Sequence, residues 1–283
     1  MLIAQISDFH LKPKGTLAYG VADTEISLKR AISYLNSLRP LPELVLITGD
    51  MVDEGAQESY SLLQQILSLL KVPFFMVPGN HDHKKSLQET FPDHRYLQTG
   101  VEEQGRPYFC FTLESHSLRL IGLDTVTPGE HGGGLGATQL AWLEQTLEAQ
   151  PKSPTLLFMH HPPFASAIGH MDGEVFRGWQ AFQSLISRQP QVERILCGHL
   201  HRPIFRRYAG TLASCCPAVG MQLTLDLREE APSTFTMEPQ SIMLHLWTEL
   251  WGEKTLLTHL GVVGEYPGQY SGPHPFLGVV SPE

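Results

Sequence analysis

The sequence predicts an α/β fold, and three observations indicate it. Five apolar runs of strand length are each bounded by polar or glycine residues, which is typical of buried strands in such a fold, and they span residues 2–6, 44–47, 74–77, 156–159 and 195–197. In the first half of the chain these runs alternate with helical patterns, an order that predicts right-handed crossovers and a largely parallel sheet. The length of 283 residues and a hydrophobic content of 42% suit one such domain, or one domain with a small appendage.

Two helices are predicted between the first three strands. Asp23 or Thr24 is placed to cap the first helix, which extends to about Arg39 and stops at the prolines that follow. The second helix spans about residues 56–70 and leads into the third apolar run. These two helices would connect neighbouring strands of one sheet.

The second half of the chain predicts another set of strands and helices. In order, we expect a hairpin of strands 108–113 and 118–123 joined across 114–117, a glycine-rich loop at 129–136, a helix at 137–149, a helix at 175–188, and short strands at 204–208 and 211–214. The last two strands would close a second sheet.

The pattern changes after Cys216, which divides the chain into a main domain of residues 1–216 and a C-terminal segment of residues 217–283. Residues 229–239 are polar and contain proline, which favours a loop, whereas 242–246 and 254–260 favour strands. The stretch from residue 265 is rich in glycine, proline and tyrosine and is expected to be irregular. We interpret the segment as a lid or a subunit contact, and its apolar stretch at 247–251 as a hint of homo-oligomerisation.

Composition and charge exclude several classes of protein. The formal net charge is −9 and the basic residues are scattered, so the basic surface typical of proteins that bind nucleic-acid polymers is not expected. The N-terminus enters a strand directly, and no apolar run approaches the length of a transmembrane helix, so we expect a cytoplasmic protein without a membrane partner. The four cysteines show no framework spacing and are expected to be buried thiols, with a disulfide between subunits through Cys215 or Cys216 as the alternative.

Side chains that bind metals follow each of the five apolar runs. In chain order these are Asp8 and His10, then Asp50, then Asn80 with His81 and Asp82, then His160 and His161, and finally His199 and His201. In open α/β sheets ligand sites gather at the carboxyl ends of the strands, so these side chains are expected to meet in one crevice. Carboxylates and imidazoles together suit Zn²⁺, Mn²⁺ or Fe²⁺ better than Ca²⁺. The set is large enough for two divalent ions, which predicts a hydrolase of phosphate esters.

The order D-x-H, GD, GNHD, H and GH-x-H resembles the calcineurin-like metallophosphoesterase superfamily. Within it, Tyr19 and Gly20, the segment 158–163 and the segment 197–199 resemble the bacterial glycerophosphodiesterase and class III cyclic nucleotide phosphodiesterase branch. The resemblance covers residues 1–215, and the tail resembles the extra C-terminal segment of the glycerophosphodiesterase type only loosely. It implies two mixed β-sheets sandwiched between helices, with a small C-terminal appendage.

The resemblance also implies roles for the metal-binding side chains. The first ion would take Asp8, His10, Asp50 and His201, and the second would take Asp50, Asn80, His160 and His199, so that Asp50 bridges the two. A hydroxide formed at the ions would attack phosphorus in line. Three glycines, Gly49, Gly79 and Gly198, would allow sharp turns and close backbone approach beside the ligands.

Further residues are candidates for catalysis or substrate contact. His81 is a candidate to contact the phosphate or to help the leaving group, and Asp82 a candidate to orient its imidazole. His161 could replace His160 as the ligand if the strand ended one residue later. Tyr19 and His170 could contact the substrate, although packing roles are the alternative for both.

The predicted function is a dinuclear metal-dependent phosphodiesterase that hydrolyses a small diester. The resemblance implies glycerophosphodiesters or 3′,5′-cyclic nucleotides as substrates, and the length with the C-terminal segment slightly favours the former. The alternatives are a phosphomonoesterase, for which Arg202 would be a candidate cation, and a scaffold that has lost catalysis, which would lack ligands or His81.

Overall fold

The computed structural model describes residues 1–114 and 117–264 and contains two large sheets with helices on their outer faces. Its helices are α1 (Thr24–Ser37), α2 (Gln57–Leu67), α3 (Lys84–Thr90), α4 (Ala137–Glu148) and α5 (Trp179–Ser187). Its strands are β1 (Leu2–Ile6), β2 (Leu44–Thr48), β3 (Phe74–Val77), β4 (Val101–Glu103), β5 (Arg106–Tyr108), β6 (Phe111–Leu113), β7 (Arg119–Leu123), β8 (Thr155–Met159), β9 (Val192–Cys197), β10 (Ile204–Tyr208), β11 (Thr211–Cys215), β12 (Gln222–Leu223), β13 (Phe235–Thr236), β14 (Ser241–Leu250) and β15 (Glu253–Val262).

The first sheet has the strand order β15-β14-β1-β2-β3. Strands β1, β2 and β3 are parallel, and α1 and α2 connect them as predicted. The Asp23 side chain caps α1 by accepting a hydrogen bond of 3.0 Å from the backbone N–H of Ile26, which satisfies one of the free N–H groups of the first turn. The predicted alternation of strands and helices in the first half of the chain is therefore confirmed. The parallel arrangement places the carboxyl ends of β1, β2 and β3 at one edge of the sheet.

The second sheet has the order β10-β11-β9-β8-β7-β6. Strands β7, β8, β9 and β11 are parallel, whereas the edge strands β6 and β10 are antiparallel to their neighbours. The predicted hairpin is present as β6 and β7, although its connection includes residues 115 and 116, which lie outside the described residues. Strands β10 and β11 complete the sheet, as predicted.

The two sheets pack face to face and form the sandwich that the resemblance implies. Strand alternation directs one set of side chains inward, where Ile3 and Leu46 of the first sheet join Leu120 and Leu196 of the second. The outward-facing side chains of the first sheet pack under α1 and α2, and those of the second pack under α4 and α5. All four cysteines are buried and free, as expected.

One predicted helix begins later than expected, and two local features were not predicted. The helix predicted from residue 175 begins only at Trp179, because Gly178 has φ +77° and ends an extended segment paired with residues 133–135. Helix α3 and the hairpin of β4 and β5 were not predicted, since seven- and three-residue elements carry too few positions to show a period.

The C-terminal segment contributes two strands to the first sheet. Strands β14 and β15 are each ten residues long, and β14 pairs antiparallel with β1. The strands predicted at 242–246 and 254–260 are therefore present and longer than expected. The boundary at residue 216 and the lid or contact role stay predictions, and the irregular stretch from residue 265 lies outside the described residues. Within residues 1–114 and 117–264, no helix is long and apolar enough to cross a membrane.

Candidate metal centre

The carboxyl ends of β1, β2, β3, β8 and β9 meet at one edge of the sandwich. The seven predicted ligands lie there in the loops that follow these strands, and most of them are buried: Asp8, His10, Asp50, Asn80, His160, His199 and His201. Two groups of converging ligand atoms are Asp8, His10 and His201, and Asp8, Asp50 and His160. Neither sheet carries a full set, so the crevice depends on both.

The backbone at these ligands is unusual. Five of the seven have positive φ, a region that non-glycine residues seldom adopt: Asp8 (54°), His10 (46°), Asp50 (50°), His199 (68°) and His201 (53°). Backbone hydrogen bonds hold the first strand end in place, from Asp8 N–H to Gly49 O (3.1 Å) and from His10 N–H to Asp50 O (3.0 Å). Such strained residues persist where the surrounding structure fixes them, and they cluster at functional sites.

Close approach between the loops requires glycine at two positions. A Cβ atom at Gly79 would overlap the carboxylate of Asp50, and one at Gly198 would overlap the Ser7 hydroxyl and the Thr48 carbonyl. The predicted need for glycine beside the ligands is confirmed, because a side chain at Gly79 would push apart two loops of the first sheet, and one at Gly198 would push the second sheet away from the first.

His10 and His201 face each other across the crevice with their Nε2 atoms 3.0 Å apart. His201 Nδ1–H donates to the carbonyl of Met221 (2.8 Å), which can only accept, so His201 Nε2 carries a lone pair in the neutral ring. His10 Nδ1 likewise donates to the carboxylate of Asp53 (3.1 Å), which leaves its Nε2 as a lone pair. Two lone pairs at this distance repel each other unless a cation or proton lies between them.

A second convergence of acceptors surrounds His160. Its Nδ1–H donates to the carbonyl of Thr48 (2.7 Å), so its Nε2 faces Asp50 Oδ2 (3.2 Å) and Asn80 Oδ1 (3.1 Å) with a lone pair or a proton. Asp50 Oδ2 also lies 3.7 Å from His10 Nε2. The Asp50 carboxylate therefore lies between the ligand atoms around His10 and those around His160, as a bridging ligand would.

The charges in the crevice fit a cationic occupant. Burial raises the pKa of Asp8 to about 6, with the nearby Asp50 carboxylate adding to the effect. Burial lowers the pKa of His10 and His199, and it lowers the pKa of His201 to about 4, so these rings are neutral, the form that binds metals. Burial opposes the charge on His160, but the Asp50 carboxylate outweighs it and raises the pKa to about 9.

The Asp8 carboxylate is also held by the second sheet. The backbone N–H of His199 donates to both of its oxygens, at 3.1 and 3.2 Å. The imidazole of His199 packs 5.1 Å from that of His160 and has no hydrogen-bond partner among the described residues. The donor set therefore suits two divalent ions of the borderline class, with oxygen and imidazole ligands on each.

The expected partnership of His81 and Asp82 is wrong. The Asp82 carboxylate accepts hydrogen bonds from the backbone N–H groups of Met51 (3.1 Å), Val52 (3.3 Å) and Gly79 (2.9 Å), and so ties the second and third strand ends together. The His81 imidazole instead donates through Nδ1 to the carbonyl of Asp53 (2.8 Å). A sequence neighbour need not be a spatial partner where the chain turns, and here the turn aims Asp82 inward.

Asp53 is a functional candidate that sequence analysis missed. Its carboxylate holds His10 Nδ1 and the ammonium of Lys12 (2.7 Å), while its carbonyl holds His81. Burial opposes its charge, yet the hydrogen bonds to His10 and Lys12 lower its pKa to about 2. Its position three residues after Asp50 was the available signal.

The remaining candidates are less central. His161 Nε2–H donates to the carbonyl of His131 (3.0 Å) and its Nδ1 contacts the Thr125 hydroxyl (2.8 Å), so both ring nitrogens have protein partners, which favours His160 as the ligand. Tyr19 lies exposed at the rim, with its ring 5.5 Å from that of Phe235. Both ring nitrogens of His170 are buried without a partner among the described residues.

Comparisons with known proteins agree with this geometry. The family model for the calcineurin-like phosphoesterases matches residues 1–203. The chain is 38% identical to a protein of Arcobacter nitrofigilis named a probable glycerophosphodiester phosphodiesterase, over 98% of this chain and 97% of that one. It is 30% identical to a 3′,5′-cyclic-nucleotide phosphodiesterase of a Nostoc species, over 81% of this chain and 84% of that one.

A solved structure shows the same fold at low identity. A dimetal phosphatase from Danio rerio superposes with a TM-score of 0.62 at 16% identity, over 91% of this chain and 98% of that one. At this identity the likeness concerns the fold alone.

Proposed function

Because the chain belongs to the calcineurin-like phosphoesterase family, we propose that it is a phosphoric diester hydrolase that works with two divalent metal ions on small phosphodiesters. Glycerophosphodiesters and 3′,5′-cyclic nucleotides are the proposed substrates, since relatives named for each cover at least four fifths of the chain. A small ester suits a protein of net charge −9, because bound cations would supply the local positive charge that the surface lacks.

The facing imidazoles of His10 and His201 carry this proposal. Their Nε2 atoms are 3.0 Å apart and each is left as a lone pair by the hydrogen bond at Nδ1, so the protein holds two acceptors where only a cation or proton can relieve their repulsion. Asp50 and Asp8 add carboxylate oxygens to the same place. A merely structural cluster would pair these acceptors with donors.

The side chains divide into two ligand sets that share one carboxylate. We assign Asp8, His10, Asp50 and His201 to the first ion, and Asp50, Asn80, His160 and His199 to the second. Manganese, iron and zinc each suit these donors. Bound ions of this kind supply positive charge for a phosphate group and lower the pKa of water to about 7.

His81 is the proposed substrate contact. Its Nδ1–H donates to the Asp53 carbonyl, its Nε2 has no hydrogen-bond partner among residues 1–114 and 117–264, and its partly exposed ring lies 4.7 Å from the His10 ring. From there it can hydrogen-bond to a phosphoryl oxygen or give a proton to a leaving alkoxide.

Two alternatives are less well supported. A phosphomonoesterase would need a free cation for the dianion, but Arg202 is bound by Glu238 (2.8 Å) and by the carbonyl of Leu223. A scaffold without catalysis would lack ligands, and all seven lie in the crevice together with His81.

The C-terminal segment is the proposed subunit contact. Strand β15 is the outer edge of the first sheet, and Trp251, at the tip of the hairpin with β14, is fully exposed. A large exposed aromatic side chain in a turn next to an open sheet edge favours self-association. The cytoplasmic location stays a prediction.

Hydrolysis of two chromogenic esters tests the function. Metal-stripped protein refilled with Mn²⁺ should cleave bis(p-nitrophenyl) phosphate in preference to p-nitrophenyl phosphate, and the stripped protein should cleave neither. Preference for the monoester would support the phosphomonoesterase, and no turnover of either ester with metal bound would support the scaffold.

A further inference from the structure

A cavity of about 380 Å³ opens beside the metal centre, and His161 and His199 form the wall between the two. Apart from that wall it is lined chiefly by apolar and aromatic side chains, notably Phe164, Met171, Phe176, Trp179, Leu200 and Tyr208. Its position next to His199, a ligand assigned to the second ion, places it within reach of a substituent carried by a phosphate in the crevice.

Hydrogen bonds within the loops hold the wall of the cavity in place. The Asp172 carboxylate accepts hydrogen bonds from the Ser166 backbone and hydroxyl (both 2.8 Å) and from the Ala167 N–H (2.7 Å), which closes the loop after β8 on itself. On the other side, Arg177 N–H donates to Gly133 O (2.8 Å) and Leu135 N–H to Arg177 O (3.1 Å). These bonds fix the segment that carries Phe176 and presents Trp179.

One cation at the cavity lacks a carboxylate partner. The Arg206 guanidinium lies over the ring of Phe164, 5.5 Å from its centroid, and forms no ion pair among the described residues. The two carboxylates in the lining are engaged elsewhere, since Asp172 closes its loop and Glu174 accepts a hydrogen bond from the Gly132 N–H. The imidazole of His161 is also satisfied on both nitrogens.

The mainly apolar lining, with one cation that has no carboxylate partner, favours some substituents of a phosphate ester over others. A polyol such as glycerol would bury hydroxyl groups against apolar rings with few free partners, which costs free energy. A cationic headgroup would approach Arg206, whose charge already occupies the face of Phe164. A flat aromatic group can stack its faces on Trp179 and against the Phe164–Arg206 pair, and the polar edge of a ring such as a nucleobase can hydrogen-bond to Arg206 or to Gln183, which also lines the cavity.

We propose that this cavity binds the substituent of the phosphodiester and that it selects planar aromatic groups, such as a nucleobase or a phenyl ring, through Trp179 and the Phe164–Arg206 pair. The inference rests on the proposed function and deepens it, because it ranks the two substrate classes. Trp179 and Arg206 are specificity-determining residues in this account, whereas the ions and His81 act on the phosphate.

Calorimetric binding of phosphonates to the manganese-loaded protein tests the cavity. Phenylphosphonate and methylphosphonate share the anionic group and differ in the ring, so phenylphosphonate should bind about tenfold more tightly. Arg206→Ala and Trp179→Ala should each reduce that ratio at least about threefold, with methylphosphonate affinity unchanged. Arg207→Ala is the matched control, since the neighbouring residue on β10 does not line the cavity and should leave the ratio unchanged.

The outcomes separate this inference from the proposed function. Equal affinity for the two phosphonates, an unchanged ratio in both variants, or tighter binding of phosphocholine than of phenylphosphonate would overturn the inference alone. Failure of both phosphonates to bind the loaded protein would overturn the proposed function. As a kinetic check, Arg206→Ala should raise KM for bis(p-nitrophenyl) phosphate about fivefold and leave kcat within about twofold.

Discussion

The metal crevice and the aromatic cavity share a wall but are built in opposite ways. The crevice takes its side chains from the ends of five buried strands in two sheets, where backbone pairing fixes each position. The cavity is formed largely by the loops between β8 and α5 and by the exposed edge strand β10. The difference suggests that residues at the strand ends bind the metals and act on the phosphate, whereas residues in the loops determine which substituent is bound.

The largest expected effect comes from Asp50→Ala, which removes the carboxylate between the two convergences of ligand atoms. We expect loss of at least one metal ion per chain and a fall in diesterase activity of more than about 10³-fold. Metal content and turnover of bis(p-nitrophenyl) phosphate measure this, with the exposed Asp93→Ala as control. Retained activity with two bound ions would refute the bridging assignment.

His81→Ala tests whether a residue of the crevice acts on the substrate without binding metal. Because no ligand atom is removed, both ions should remain, while kcat for the diester falls about 10²-fold. The control is His83→Ala, two positions further along, whose ring contacts the Ser86 hydroxyl. A parallel loss of metal in His81→Ala would assign that residue to the ligand set instead.

Asp53→Asn tests whether the hydrogen bond from His10 to the Asp53 carboxylate helps His10 to bind metal. The carboxylate fixes which nitrogen of His10 carries the proton, so weakening it should lower metal affinity about 10- to 100-fold, with activity largely recovered at saturating Mn²⁺. Glu54→Gln alters a neighbouring exposed carboxylate and should leave affinity unchanged. If Asp53→Asn binds Mn²⁺ as tightly as the wild type, its role is structural.

The smallest effect on turnover is expected for Trp251→Ala, which lies far from both regions in the C-terminal hairpin. Kinetic constants should not change, whereas sedimentation should show a smaller assembly if the exposed edge joins subunits. An unaltered sedimentation profile would remove the hairpin tip from the subunit contact.

Sequence reasoning reached the crevice because its residues follow strongly patterned strands. Asp8, Asp50 and His160 each come just after an apolar run, and parallel strands must end at the same edge. The same reasoning missed Asp53, which follows β2 in a loop where no period fixes the side chain. It also gave Asp82 the wrong partner, because the carboxylate accepts from backbone N–H groups, two of them after β2 and one in its own loop after β3.

The cavity could not be predicted from the sequence, because the loops that form it also lack a periodic pattern. Residues 163–178 have no hydrophobic period, and an extended segment lines the cavity where the sequence predicted the start of a helix. The pairing of Arg206 with Phe164 joins residues 42 positions apart in loops and an edge strand, a contact that only the folded chain reveals.

The number of Mn²⁺ ions that the active protein binds tests whether the crevice holds two metals. Metal-stripped protein would be titrated with Mn²⁺ in a calorimeter, and diesterase activity would be measured in samples taken along the titration. We expect two ions per chain, with full activity reached only when the second site fills. Full diesterase activity at one ion per chain would contradict the shared crevice of two metals.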